Sequence, residues 1–164
     1  MRREFGFTYL TVLFIVAIMG AGLSLTGELW HTAAIREKEA ELLFTGNQYR
    51  EAIERYYLAG PQQYPRALED LIKDPRKPGT VRHLRRLYQD PMGDSGKWGL
   101  VDAPEGGIMG VHSISDGKPI KSTGFGPLDA GFERVAKYSD WKFIFAPTVQ
   151  GGATAPAKSA AQPR

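Results

Sequence analysis

The side chains that could do chemistry are few and scattered. Three histidines, His31, His83 and His112, fall in three separate segments, with none of the short intervals that put two imidazoles on one metal. Ser113 follows His112 directly, and the two read as strand residues rather than as a nucleophile and its base. The chain has no cysteine, which excludes a disulfide framework and thiolate chemistry but leaves the compartment open. No Gly-x-Ser-x-Gly elbow, phosphate-binding loop or dinucleotide fingerprint occurs. The sequence therefore predicts a protein that is not an enzyme.

Two sets of charged residues remain. Asp90, Asp94, Asp102, Asp116, Asp129 and Asp140 all fall in predicted loops, where aspartate commonly closes a turn through nearby backbone. Their spacing matches no calcium-binding loop. The most basic stretch, Arg82-His83-Leu84-Arg85-Arg86, is expected to be a solvated helix face. Its alternative is a contact with the acidic 37–41 region of a neighbouring subunit. Nucleic acid is not the expected partner, because the net charge is only +3 and no aromatic residue is interleaved with these arginines.

The elements that must position these residues come from an uneven sequence. Of the 164 residues 42% are hydrophobic, yet 7–27 carry no charge while the remainder is polar and rich in Gly and Pro. A globular part of roughly 90 residues built from that remainder is only marginally stable alone. It is expected to lean on a long helix or on neighbours. The 7–27 run matches what a helix needs to cross a bilayer core, and a helix satisfies its own backbone there. Gly20, Gly22 and Gly27 are ordinary in membrane helices, where small residues permit close packing. Arg2 and Arg3 place 1–6 in the cytoplasm and everything after Glu28 outside. A cleavable secretory signal fits poorly, since Thr32-Ala33-Ala34 lies beyond Glu28 and Trp30. Trp30 itself suits either the headgroup level or a helix-face contact.

No proline interrupts 28–58. Leu42, Tyr49, Ile53 and Tyr56, with Gly46 between them, recur at helical spacing and form one apolar stripe. Glu37, Glu41, Glu51, Glu54 and Arg55 fall on other faces. Gly60-Pro61 ends the run, so a helix of roughly 75 Å is expected over 7–58. Beyond it, Pro65 opens a short helix with Leu68, Leu71 and Ile72 on one face. Asp90-Pro91-Met92-Gly93 reads as a turn. Strands are expected over 97–101, 107–114 and 141–145, the last with Trp141, Phe143 and Phe145 alternating inward. The stretch 118–137 reads as a loop or broken helix carrying Phe125 and Phe132 inward. From 148 the composition falls to Gly, Ala, Pro, Ser, Gln and Lys, which predicts a disordered tail. The expected fold class is α+β: a long N-terminal helix, half membrane and half amphipathic, packed on a small antiparallel sheet. Its parts are a leader over 1–6, the two helix halves over 7–27 and 28–58, a head over 59–147 and the tail over 148–164.

Arg2-Arg3-Glu4-Phe5-Gly6, followed by Phe7-Thr8 and the apolar run, resembles the class III signal of type IV pilins and type II secretion pseudopilins. Gln63-Tyr64-Pro65, Leu68-Glu69-Asp70-Leu71-Ile72 and Asp90-Pro91-Met92-Gly93 are similar in order to segments of major pseudopilins. The resemblance implies cleavage between Gly6 and Phe7 by a membrane-embedded aspartyl prepilin peptidase, and N-methylation of Phe7. It implies helix packing in a filament through residues such as Thr11, Leu13 and Val16. The implied partners are the peptidase, other pilin-like subunits, an inner-membrane assembly platform and membrane lipid. The implied protein is a single-pass inner-membrane subunit with a periplasmic head, supporting export across the envelope. A Ca²⁺ site in a C-terminal loop is also implied, with Asp116 and Asp129 as first candidates.

One position departs from the family pattern. Its usual fifth mature residue is Glu, and this chain has Thr11. A threonine can bond to a helix carbonyl but cannot neutralise the amine of a neighbouring subunit. Within the family, loss of that Glu is associated with a minor subunit at the filament tip. The alternative reading is a single-pass membrane scaffold or binding protein whose domain does not polymerise.

Overall fold

Helix α1 runs Phe5–Leu58, and nothing in that stretch supplies a break. Its last turn closes with Ala59 N–H donating to the Arg55 carbonyl at 3.0 Å, just before Gly60-Pro61. The structure is a computed structural model that describes residues 5–147, with the side chains of 5–8 and 21–29 outside the description. The tail expected over 148–164 and the leader's residues 1–4 lie outside the described residues. The apolar stripe of the amphipathic half is the helix's buried face: Leu42, Tyr49, Ala52, Ile53 and Tyr56 are all core residues. Glu37, Glu41, Glu51, Glu54 and Arg55 are exposed, as their spacing predicts.

That face packs on a three-stranded antiparallel sheet of strands β1 (Gly99–Asp102), β2 (Ile108–His112) and β3 (Lys142–Ile144), in the order β1-β2-β3. The architecture is α+β. The β1–β2 hairpin turns through Gly106 and Gly107 at φ of +91° and +88°, a left-handed backbone that only glycine adopts freely. Behind the turn, Ile108 N–H donates to the Pro65 carbonyl at 2.8 Å, which ties the hairpin to the start of the short-helix region. Val111 pairs with Phe143 across β2 and β3. Both are fully buried, so this pair is the centre of the sheet's inner face.

An aromatic cluster extends the core around β3. Phe132 stacks on Trp141 with centroids 5.7 Å apart, and Phe125 meets the same indole edge-on at 5.4 Å. Burying side chains of this size contributes about 1.5–3 kcal/mol each. A small glycine-rich head gains much of its stability here. Phe132 is buried and Phe125 half-buried, in line with the inward placement expected for both.

Several elements differ from the sequence expectation. The short helix over 68–72 is a single 3-10 turn, Leu68–Leu71, with Leu71 fully buried. Asp74-Pro75 follows too closely for a longer helix, because the residue before proline is pushed out of helical geometry. The first strand starts two residues late, since Trp98 turns in to meet Tyr49 at 5.4 Å. Asp102 belongs to β1, and Asp129 and Asp140 sit in the 3-10 turns Pro127–Phe132 and Tyr138–Asp140 rather than in open loops. The basic stretch 82–86 is not a helix. It is a bent segment that buries His83 and Leu84 while Arg82, Arg85 and Arg86 stay exposed.

Candidate functional site

The residues that could have formed a catalytic centre stay apart. His31 is exposed on α1. The His112 ring Nδ1 lies 2.8 Å from the Ser113 carbonyl oxygen, so the two do not form a base–nucleophile pair. Ser113 is fully buried and donates its hydroxyl to Asp90 at 2.7 Å. Asp90 also accepts from the backbone N–H groups of Met92 at 2.9 Å and Ile114 at 3.2 Å. Its carboxylate therefore closes the Asp90-Pro91-Met92-Gly93 turn and fastens it to the end of β2.

The two calcium candidates are held by different cations. Asp129 lies 2.9 Å from Arg50 and accepts from Asn47 at 3.0 Å, which docks the Pro127–Phe132 turn on α1. Asp116 is exposed, lies 3.1 Å from Lys137, and accepts from Ser139. The lysine holds the Asp116 carboxyl below its usual range. Among the described residues, no three His, Cys, Asp or Glu side chains gather to hold a metal. A carboxylate neutralised by arginine is a poor donor to a hard cation, so Asp129 as held here does not suit Ca²⁺.

Two further buried ionic groups, which the sequence did not single out, tie loops to α1. Glu39 is buried and accepts from the backbone N–H groups of Ile120 and Lys121 and from the Tyr138 hydroxyl at 2.8 Å. Burial, with the bond to Glu39, pushes the Tyr138 phenol well above its ordinary value. Asp74 is fully buried and takes the Arg76 Nε and Nη2 groups at 2.9 and 2.8 Å. His83 Nε2 is 3.1 Å from the same carboxylate. Hydrogen bonds from Arg76 hold the Asp74 carboxyl far below the usual carboxylate range. Arg76 also donates to the Tyr56 carbonyl at 2.7 Å, capping the last turn of α1, and lies 3.5 Å over the Tyr56 ring. The Asp74-Pro75-Arg76 triplet was a usable sequence signal, since a turn there brings an aspartate and an arginine together.

The N-terminal part of α1 is different in kind. Every described side chain over 9–20 is exposed, including Thr11, Leu13 and Val16. Leu13 and Val16 share one helix face by their spacing of three. Gly6 and Phe7 lie in the first turn of α1, and their side chains fall outside the description. Among the described residues, no helix is long and apolar enough to cross a membrane. The span expected over 7–27 falls partly on side chains outside the description. Comparison with protein-family models, with curated proteins and with solved structures gives no match to this chain.

Proposed function

We propose that the chain is a pilin-like structural subunit of a type II secretion or type IV pilus-like filament, anchored in the inner membrane with its head in the periplasm. The observation that supports this is the division of α1. One half buries an apolar stripe on its own head, and the other presents apolar side chains such as Leu10, Leu13, Phe14, Val16 and Ile18, which no described residue of the chain covers. A helix apolar on all faces needs lipid or other helices around it. The prepilin-type leader supplies the route by which such a helix becomes a filament core, with the cut after Gly6 and a methylated Phe7. In this role the protein performs no catalysis, and the ionic groups around Glu39, Asp74 and Asp90 serve the head's rigidity.

Thr11 favours a second reading, a bitopic scaffold that does not polymerise, because it removes the carboxylate that pairs with a neighbour's amine. A double variant, Leu13→Cys with Val16→Cys, separates the two in native membranes, because two thiols per chain let disulfides extend beyond a dimer. Oxidative crosslinking is expected to give a ladder of higher multimers. Monomer with at most dimer would support the scaffold.

A further inference from the structure

We propose that the groove between α1 and the segment 82–88 docks an acidic peptide segment of a partner protein, one with an apolar or aromatic side chain among its carboxylates. The chain treats its arginines in two ways. Arg50 and Arg76, which hold loops to α1, each lie on an aspartate, at 2.9 Å from Asp129 and 2.8 Å from Asp74. Among the described residues the other seven arginines meet no carboxylate at ion-pair distance, and four of these, Arg55, Arg82, Arg85 and Arg86, lie together at this groove or beside it. Arg55 is in the last turn of α1, where a cation is favoured by the helix dipole. The other three are in no helix and have no such reward.

These cations converge. Arg55, Arg82 and Arg85 line a groove of about 700 Å³ together with Phe44 and Tyr88. Arg86 lies 5.1 Å over the ring of Tyr88, itself a lining residue. Like charges gathered this way repel one another until an anion is brought to them. Phe44, 59% exposed, adds an apolar wall that a bare anion does not need. The groove is far larger than an inorganic anion and suits several side chains of a peptide.

The base of the groove is fixed. His83 and Leu84 both donate backbone N–H bonds to the Leu71 carbonyl, at 2.8 and 2.9 Å. The Tyr49 hydroxyl donates to the Tyr88 carbonyl and accepts from the Tyr88 N–H, both at 2.9 Å. A fixed backbone under the arginines leaves only their side chains to be ordered on binding. A lipid headgroup is the poorer occupant, since Phe44 stands about 26 Å along α1 from Gly27, where the apolar run expected to cross the bilayer ends, at 1.5 Å per residue. The site does not depend on the filament reading, since it is built entirely within the head and its helix.

The test uses the full chain in non-ionic micelles and fluorescence anisotropy with a labelled peptide, Glu-Glu-Gly-Glu-Trp-Glu-Gly-Glu-Glu. Binding is expected to weaken about 10-fold in the combined Arg82→Gln, Arg85→Gln, Arg86→Gln variant, and several-fold in Phe44→Ser. Both variants should keep the wild-type unfolding transition, because every altered side chain is exposed. Equal binding of the peptide with Gln in place of Glu would overturn the proposal, as would undiminished binding by the arginine variant. Tighter binding of a labelled single-stranded oligonucleotide, or displacement of the peptide by phosphatidylglycerol vesicles, would overturn it in favour of those ligands. Self-association of the wild type that the arginine variant loses would assign the groove to a second copy instead.

Discussion

Gly46 lies flat against the Phe143 ring, so close that a methyl group on Gly46 would fall inside the ring's van der Waals envelope. The helix therefore touches the sheet backbone-to-ring at the middle of its buried stripe. Phe143 has nowhere to go, since it is itself fully buried against Phe132 and Trp98.

Gly46→Ala is accordingly expected to destabilise the head. Alanine gains about 1 kcal/mol of helix propensity over glycine, while overpacking a tight core costs about 1–3 kcal/mol. Chemical denaturation of the full chain in micelles should show a net loss, and a larger one for Gly46→Val. Gly20→Ala provides the contrast, because nothing lies within 4 Å of an added methyl there.

Asp74→Ala should cost about 3 kcal/mol, since it leaves Arg76 and the buried His83 without their shared carboxylate. It should also change the acid limb of the stability profile. The folded-state pKa of Asp74 is lowered, chiefly by Arg76, so its contribution is present above the unfolded value near about pH 4 and is lost as pH falls below it. Unfolding followed from pH 6 downward should be less steep in the variant than in the wild type.

On the alkaline side the sign reverses. Burial pushes the Tyr49 phenol up to about 12 and Tyr138 higher still. A raised folded-state pKa contributes stability that is full below the unfolded value of about 10 and declines as pH rises through the folded one. Burial raises Tyr56 and Tyr64 as well, so tyrosinate absorbance should show a group of late-titrating phenols, with Tyr49 and Tyr138 the latest, and one of these two disappears in Tyr49→Phe. That variant also orphans the Tyr88 N–H, and a loss of about 1–2 kcal/mol at neutral pH is expected.

The helical stripe and the three strands were legible in the sequence because their signals are local. Leu42, Gly46, Tyr49, Ile53 and Tyr56 carry the 3.6-residue period themselves, and Trp141 with Phe143 carries the alternation. The ionic groups were not legible, because their partners are remote. Glu39 meets Ile120 across a separation of 81 residues, and no local pattern marks it as buried. The basic segment was misread for the same reason. Its neighbours in sequence supply Leu84 and Tyr88, but the aromatic wall of the groove is Phe44, delivered by α1. Asp116 and Asp129 looked alike as turn aspartates. Only the fold separates an exposed Lys137 pair from a contact with Arg50 on the helix.

Under the proposed function this helix enters the membrane as a prepilin and is matured there. Mass spectrometry of the N-terminal peptide, on protein purified from membranes of cells with an active prepilin peptidase, reads that directly. The expected peptide begins at Phe7 with a methylated amine. Recovery of a peptide beginning at Met1 as the predominant form in those cells would contradict the prepilin assignment.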